Sequence, residues 1–182
     1  MEEQTDEQLL EMFKNQDSKS FAFNLLMKKY QKRVYAHVRR IVIDHDDTDD
    51  ILQNTFIKVW SHLGNFKGDS QIFTWIYRIA TNESITFLNK KKKIFFMPLL
   101  NVESKMSSKL ESDPYFTGDA IQLKLQKAIL KLPEKQRIVF NMKYYDELKY
   151  EEMSAVLDTS VGALKASYHH AVKKIEDYLL NH

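Results

Sequence analysis

Residues 150–175 read YEEMSAVLDTSVGALKASYHHAVKKI, and they carry the clearest structural signal in the chain. Apolar residues recur every three or four positions up to Leu157 and again from Val161 onward, which predicts two amphipathic helices. Residues 158–160 form a short turn between them. A helix, a tight turn and a longer second helix are typical of a helix-turn-helix, whose second helix enters the DNA major groove.

The second of these helices has a polar and partly basic outer face. If Val161 and Leu164 pack against the first helix, the residues left outside are Gly162, Lys165, Ala166, His169 and Lys173. The pattern alone leaves open an ordinary αα-hairpin with a solvated basic side. His169 and His170 diverge by about 100° around a helix, so they are poor joint ligands for a metal ion.

Composition favours an all-α protein that folds in a reducing compartment. The 182 residues are 43% hydrophobic and 29% charged, with only 4 Gly and 3 Pro, too few for the many turns of a sandwich or barrel. The absence of cysteine excludes disulfide scaffolds, thiol nucleophiles and Cys-ligated zinc. No apolar run approaches the ~20 residues of a membrane span, and the acidic start is unlike a signal peptide. We therefore expect a soluble, cytoplasmic protein.

The positions of proline and polar residues divide the chain into two parts. Pro98, Pro114 and the polar patch 104–108 lie between two segments of strong helical periodicity. The sequence thus predicts two small helical domains joined by an extended linker. The first is a three- to four-helix domain over residues 1–93, the linker covers 94–117, and a helix-turn-helix domain covers 118–182.

Net charge limits what the chain can bind unaided. Lys and Arg number 27 and Asp and Glu number 25, so the formal charge is +2. Non-specific affinity for DNA comes mainly from neutralising phosphates, and a chain so balanced has little such affinity. If it binds nucleic acid, its positive charge must be locally concentrated or a partner must supply the rest.

Five aspartates between residues 44 and 50 precede the second long helix. Helix capping and the helix dipole account for one or two of them. A calcium loop would need Gly and Glu where this sequence has Asp49 and Thr55, so that interpretation fails. Capping and a polar face for a basic partner both stay open, the second formed by Asp47, Asp50, Gln53 and Asn54.

A loop rich in aromatic and basic residues joins the second and third predicted helices. Residues 65–70 read NFKGDS, and the following turns contain Phe73, Trp75, Tyr77 and Arg78. Rings that stack on bases, beside cations that hold phosphates, are what single-stranded DNA binding requires. Aromatic residues on a helix are more often core, so the pattern alone leaves both interpretations open.

No phosphate loop, nucleophile elbow or metal-ligand spacing appears, so no enzyme, cofactor or metal is predicted.

Six strings, taken in order, resemble a known family. DTDDILQNTF (47–56), FKGDS (66–70) and TWIYRIATN (74–82) resemble region 2 of bacterial RNA polymerase sigma factors. LPEKQRIVF (132–140), YEEM (150–153) and SVGALK (160–165) resemble region 4. Their order and the short chain resemble the extracytoplasmic-function (ECF) group of the sigma-70 family, which has only these two domains. The match covers nearly the whole chain.

The resemblance implies a protein that binds core RNA polymerase and directs promoter-specific initiation. Its partners would be the β′ clamp helices and the β subunit, promoter DNA and an anti-sigma factor, with no small-molecule substrate. The residues implied in polymerase binding are Asp47, Asp50, Gln53, Asn54 and Phe56. Those implied in capturing flipped minus-ten bases are Asn65, Phe66, Lys67, Gly68, Asp69, Ser70, Trp75, Tyr77, Arg78 and Asn82. Those implied in reading the minus-thirty-five duplex are Arg137, Ser160, Gly162, Lys165, Ala166, His169 and Lys173.

Four positions depart from the family pattern. Asn54 stands where an acid is usual, and Asp158 replaces a turn glycine, which Asp can do because it tolerates a left-handed backbone. Ser167 and His170 replace common arginines, so the preferred minus-thirty-five sequence is expected to differ from that of relatives. The alternatives are a free-standing dimeric helix-turn-helix regulator and a helical adaptor that binds only protein.

Overall fold

Helices make up all the regular secondary structure in residues 4–94, 99–116 and 119–182, which the computed structural model describes. In chain order they are α1 (Asp6–Lys14), α2 (Lys19–Val42), α3 (His45–His62), a 3-10 turn (Leu63–Asn65), α4 (Ile72–Ile94), α5 (Leu99–Ser112), α6 (Ala120–Leu130), α7 (Glu134–Tyr144), α8 (Tyr150–Leu157) and α9 (Val161–Asn181). The all-α prediction is confirmed. In these same residues no helix is both long and apolar enough to span a bilayer.

Helices α1 to α4 form the N-terminal domain, in agreement with the prediction of three to four helices. α1 starts with a capping box, in which Thr5 and Gln8 each accept a hydrogen bond from the other's backbone N–H. α2 supplies the centre of the core, and α1, α3 and α4 each pack against it. Its fully buried side chains include Leu26, Val34 and Val38, which meet Val59 of α3 and Ile76 of α4.

A tight corner joins α2 to α3. Ile43 has φ of 68°, a left-handed conformation that is rare for a β-branched residue. Its side chain is buried in a cluster with Leu110 and Phe116, and this burial offsets the backbone strain. The next residue, Asp44, caps α3 by accepting a hydrogen bond from the Asp47 N–H at 2.9 Å. The capping interpretation of the aspartate cluster is therefore confirmed for Asp44.

The segment between the domains contains the helix α5, which the prediction of an extended linker did not include. α5 buries Met106 and Leu110, one helical turn apart, against Ile43 and Leu130. Ion pairs of Lys109 with Asp44 and of Asp113 with Arg39 hold its C-terminal end to the α2–α3 corner. A helix this short is marginal alone in water, and the neighbouring apolar surfaces stabilise it. The prediction rested on Pro98, Pro114 and the polar patch 104–108, none of which indicates the buried positions Met106 and Leu110.

The C-terminal domain consists of α6 to α9, and α8 and α9 form the predicted helix-turn-helix. Asp158 ends α8 in the left-handed region at φ 50° and ψ 47°, as its tolerance for that conformation predicts. Ser160 then caps α9 by accepting a hydrogen bond from the Ala163 N–H at 3.3 Å. Met153 and Val156 of α8 are buried with Leu164 of α9, so both helices share one core.

The two domains are in contact across a continuous core. Ile138 and Met142 of α7 and Met153 of α8 belong to the same buried cluster as the helices of the N-terminal domain. α8 packs against α4, and α7 packs against α2. This closed arrangement places the helix-turn-helix beside the loop that precedes α4.

Candidate functional site

A groove of about 600 Å³ runs between α2 and α3. Its lining is mostly apolar with a polar edge, and comprises Phe23, Met27, Gln31, Asp49, Asp50, Leu52, Gln53, Phe56, Ile57 and Trp60. Ile57 is 55% exposed and Trp60 is 37% exposed. Large apolar side chains grouped in this way on a surface mark a site of protein–protein contact.

The loop of residues 65–70 is built as a platform on the start of α4. Gly68 has φ of 79°, a conformation that favours glycine, and it turns the loop back toward the helix. The Phe66 ring lies 5.3 Å from the Trp75 ring, centroid to centroid, which fastens the loop to α4. Lys67 and Arg78 remain exposed beside these rings. Aromatic faces next to free cations suit an unpaired nucleic-acid strand.

A cleft of about 500 Å³ separates this loop from the helix-turn-helix. One wall holds Trp75 and Arg78 together with loop residues, and the other holds Ser154, Ala155 and Asp158 of α8 and its turn. His62 and Thr74 also line the cleft, although neither was among the predicted site residues. No local pattern in the sequence places α8 opposite this loop, because the contact joins segments far apart in the chain.

The first turns of α9 present an exposed polar face. All six α9 and turn residues predicted to read duplex DNA are exposed, namely Ser160, Gly162, Lys165, Ala166, His169 and Lys173. From position 162 they recur at three- and four-residue steps and so share one side of the helix. The Lys165 ammonium lies 5.6 Å from the centre of the Tyr150 ring, a contact that orients it beside α8.

Comparisons with known proteins identify the family. The Sigma-70 region 2 model matches residues 26–94, and the Sigma-70, region 4 model matches residues 122–175. The ECF RNA polymerase sigma-E factors of Salmonella typhimurium strain LT2 and Escherichia coli strain K12 are each 32% identical to this chain, over 97% of it and 95% of their own length. This chain belongs to the ECF family of RNA polymerase sigma factors.

Sigma factors direct RNA polymerase to promoters, and the matches do not favour a free-standing dimeric regulator. The RNA polymerase sigma-H factor of Pseudomonas aeruginosa is also similar, at 29% identity over 97% of this chain and 95% of that protein. Two solved structures share the fold. RpoE of Bartonella quintana in complex with the anti-sigma factor NepR has a TM-score of 0.69 and 18% identity, covering 87% of this chain and 97% of that one. CnrH in complex with the cytosolic domain of CnrY has a TM-score of 0.68 and 22% identity, covering 96% of each.

The groove of this sigma factor contains three of the five residues predicted to bind polymerase. Asp50, Gln53 and Phe56 line it, whereas Asp47 and Asn54 do not. Asp47 is two positions from Asp49, so the two side chains point about 200° apart around α3. Asp47 instead forms an ion pair of 2.5 Å with Lys91 of α4.

Four α3 residues of the groove were not predicted from the sequence, namely Asp49, Leu52, Ile57 and Trp60. The spacing of Asp49, Ile57 and Trp60 from Gln53, by four or seven positions, would have placed those three on its face of the helix.

Two residues predicted to contact DNA are buried in this sigma factor. Tyr77 is 1% exposed, its ring packs at a tilt against Phe73, and its hydroxyl donates to the Arg33 carbonyl at 3.2 Å. This burial raises the pKa of the Tyr77 phenol well above its ordinary value. Tyr77 lies two positions after Trp75 and so faces the opposite side of α4. Its assignment to the DNA surface is corrected to a core role.

Arg137 is the second correction. Its side chain is 6% exposed, because α7 is enclosed between α2 and α9 and all of residues 137–142 are buried. The Arg137 guanidinium therefore does not lie on the exposed surface that the outer side of α9 forms. Elsewhere, Asn65, Lys67, Gly68, Asp69 and Asn82 are exposed as a DNA surface requires, and Phe66, Ser70 and Trp75 are partly exposed. Among the residues described, no group of three or more His, Asp or Glu is arranged to hold a metal ion.

Proposed function

We propose that this sigma factor binds core polymerase through the α2–α3 groove, captures the minus-ten strand on the loop 65–70 and α4, and reads the minus-thirty-five duplex with α9. The observation that carries the proposal is the loop platform. Phe66 and Trp75 supply ring faces while Lys67 and Arg78 supply cations within the same short surface. Stacking on such rings is sequence-tolerant and needs bases that have left the duplex.

The groove suits a helical, basic partner. Its apolar floor would bury the hydrophobic side of a partner helix, while Asp49 and Asp50 at the edge would accept hydrogen bonds from lysine or arginine. The clamp helices of the polymerase β′ subunit are the occupant that the family resemblance implies. Asn54 and Asp47 lie outside this contact.

The face of α9 is suited to the major groove but carries few cations. Lys165 and Lys173 would hold phosphates, and the N-terminus of α9 with Ser160 and Gly162 would approach the base edges. Ser167 and His170 take the places of common arginines, so the affinity of α9 alone for duplex DNA is expected to be low. The β subunit would hold this domain in place on the upstream element.

Weak promoter binding by the free chain follows from charge and arrangement together. The net charge of +2 provides little attraction to phosphate, and α8 lies across the cleft from Trp75. Polymerase would separate the domains, with residues 1–93 on the clamp, 118–182 upstream and 94–117 spanning the distance. An anti-sigma factor is a further expected partner, as in the structures of RpoE with NepR and CnrH with CnrY. The chain would act in the cytoplasm and leave catalysis of RNA synthesis to the polymerase.

Reconstitution with core RNA polymerase tests the proposal. Asp50→Lys should abolish assembly with core, measured by fluorescence anisotropy, while leaving the fold unchanged by circular dichroism. Asp46→Lys is the matched control, since Asp46 is an exposed aspartate of the same helix that does not line the groove. Assembly and promoter-specific transcription that survive Asp50→Lys, or that fail equally with Asp46→Lys, would contradict the assignment of the groove.

A further inference from the structure

The Trp60 indole, at one end of the α2–α3 groove, is held by three side chains from the start of the chain. Its ring lies 5.0 Å from the Phe23 ring at 81° and 5.4 Å from the Phe13 ring at 86°, so both contacts are edge-to-face. The Lys19 ammonium lies 5.0 Å from the centres of both the Trp60 and the Phe13 rings. All three residues precede residue 26, where the match to region 2 begins. Of the three, only Phe23 lines the groove itself.

Lys19 occupies a place that its charge does not favour. It is the first residue of α2, where the helix dipole repels a cation, and the first turn of α2 has no acid to offset this repulsion. Ser18, just before it, makes no side-chain cap to the helix. The helix itself therefore does not account for a lysine here, whereas the two aromatic rings do, because their faces attract an ammonium. A residue that breaks a local rule beside a binding surface indicates a role in that surface.

Phe13 has a fixed position because α1 is fastened to α2. Leu9 and Phe13, about one turn apart on α1, are each 3% exposed. At the start of α1, the Asp6 carboxylate accepts hydrogen bonds from the Tyr30 hydroxyl at 2.6 Å and from the Lys29 ammonium at 2.8 Å. A helix of 9 residues is not stable alone in water, so these contacts keep α1 folded and in place. The Phe13 ring can therefore serve as a rigid support for Trp60.

We propose that Phe13 and Lys19 are positioning residues for polymerase binding, which hold the Trp60 indole in the orientation that completes the groove. The proposal rests on the proposed function, because it takes the groove to be the contact with core polymerase. Trp60 is 37% exposed, and an indole held only by its own helix would sample several rotamers in water. A partner helix would then have to immobilise the indole on binding. Holding it beforehand removes that entropic cost, which corresponds to about 2- to 12-fold in affinity.

Binding of the full chain to core polymerase tests this role. Lys19→Met removes the ammonium and keeps an unbranched apolar side chain, so the affinity should fall by about 2- to 12-fold. Lys19→Arg keeps a cation over the rings and should retain the affinity. Lys28→Met is the matched control, since Lys28 is an exposed lysine nine positions along the same helix and therefore on its opposite side. It removes the same charge and should leave the affinity unchanged.

The mobility of the Trp60 indole distinguishes positioning from a general effect on the fold. The chain has two tryptophans, so Trp75→Phe leaves Trp60 as the only indole for measurements on the free chain. Time-resolved fluorescence anisotropy should then show an indole that moves little relative to the protein. Lys19→Met and Phe13→Leu should each increase the amplitude of its fast motion, at a temperature where circular dichroism shows the chain to be folded. Lys28→Met should not change this amplitude.

Three results would overturn the proposal. They are an unchanged core affinity in Lys19→Met, equal losses in Lys19→Met and Lys28→Met, and a Trp60 that is as mobile in the unmodified chain as in Lys19→Met. Asp50→Lys separates this failure from failure of the groove. If Asp50→Lys abolishes assembly and Lys19→Met has no effect, the groove binds core without support from α1. If neither variant affects assembly, the groove is not the contact with polymerase.

Discussion

Lys92 near the end of α4 and Glu134 in the first turn of α7 form an ion pair of 2.6 Å between the two domains. The neighbouring Lys91 pairs with Asp47 of α3. Two of the four lysines in the run 90–93 are thus occupied by acids of this chain. In the closed arrangement these two lysines therefore form contacts within the chain, and less of the run is available to bind phosphate.

Reversing one charge of this pair should shift the balance between closed and open forms. Glu134→Lys places two ammonium groups together and favours opening, whereas Glu134→Gln only removes the attraction. Because both side chains are partly exposed, we expect an effect of about 1 kcal/mol or less. Fluorescence energy transfer between dyes at Ser61→Cys of α3 and Glu176→Cys of α9 measures it, since the chain has no other cysteine. Added salt should reduce the difference between the two variants. Equal open fractions in both variants at low salt would show that the pair does not hold the domains.

Removing the aromatic platform should impair promoter opening without affecting assembly with polymerase. Trp75→Ala removes a stacking surface worth about 1–3 kcal/mol per base, which corresponds to a loss of roughly 5- to 150-fold. Arg78→Ala should act in the same direction through the lost cation. Permanganate reactivity of minus-ten thymines measures opening, and anisotropy measures binding to core.

Tyr77→Phe is the matched control for that experiment. It removes only the hydrogen bond to the Arg33 carbonyl, so stability should fall by about 1 kcal/mol while opening is retained. If Tyr77→Phe reduced opening as strongly as Trp75→Ala, the burial of Tyr77 would not persist in the promoter complex. If Trp75→Ala reduced core binding equally, its role would be structural.

The sequence predicted the fold and the site best where the deciding residues lie close together in the chain. The helix-turn-helix follows from apolar spacing and a left-handed Asp158, both contained within residues 150–175. The face of α9 was likewise predictable because its outer positions are polar. Tyr77 and Arg137 were assigned wrongly because a motif string does not state which side of its helix faces the core.

Features that depend on distant contacts were not predictable from the sequence. α5 is helical because Met106 and Leu110 pack against Ile43 and Leu130. Ile43 belongs to the N-terminal domain and Leu130 to the C-terminal domain. The bond between His37 and Asp146 joins residues 109 positions apart. No local pattern indicates such a contact, so the closed arrangement could not be foreseen.

The linker helix is expected to unwind when both promoter elements are bound. Fully extended, residues 94–117 reach up to about 80 Å. With the 14 residues of α5 kept helical at about 1.5 Å each, the reach falls to roughly 55 Å. Duplex sites two helical turns apart are separated by about 70 Å. Residues 105–112 should therefore show protected amides in the free chain and fast hydrogen exchange in the promoter complex.

The amides of α8 supply the internal control for that exchange experiment, because α8 should stay folded in both states. Loss of protection in α5 alone would support unwinding. Equal protection of α5 with and without polymerase and promoter would mean that the domains span the distance by orientation, with the helix intact.

The turn of the helix-turn-helix offers a test of backbone strain. Asp158 is left-handed, a conformation that costs a residue with a side chain about 1 kcal/mol and costs glycine almost nothing. Asp158→Gly should therefore stabilise the chain by about 0.5–1 kcal/mol, and Asp158→Val should destabilise it by about 1–2 kcal/mol. Thermal melts followed by circular dichroism measure both. Ala155→Gly, in the middle of α8, is the control for added flexibility and should cost about 1 kcal/mol. If Asp158→Gly lowered stability as Ala155→Gly does, contacts of the Asp158 carboxylate would outweigh the strain of its backbone.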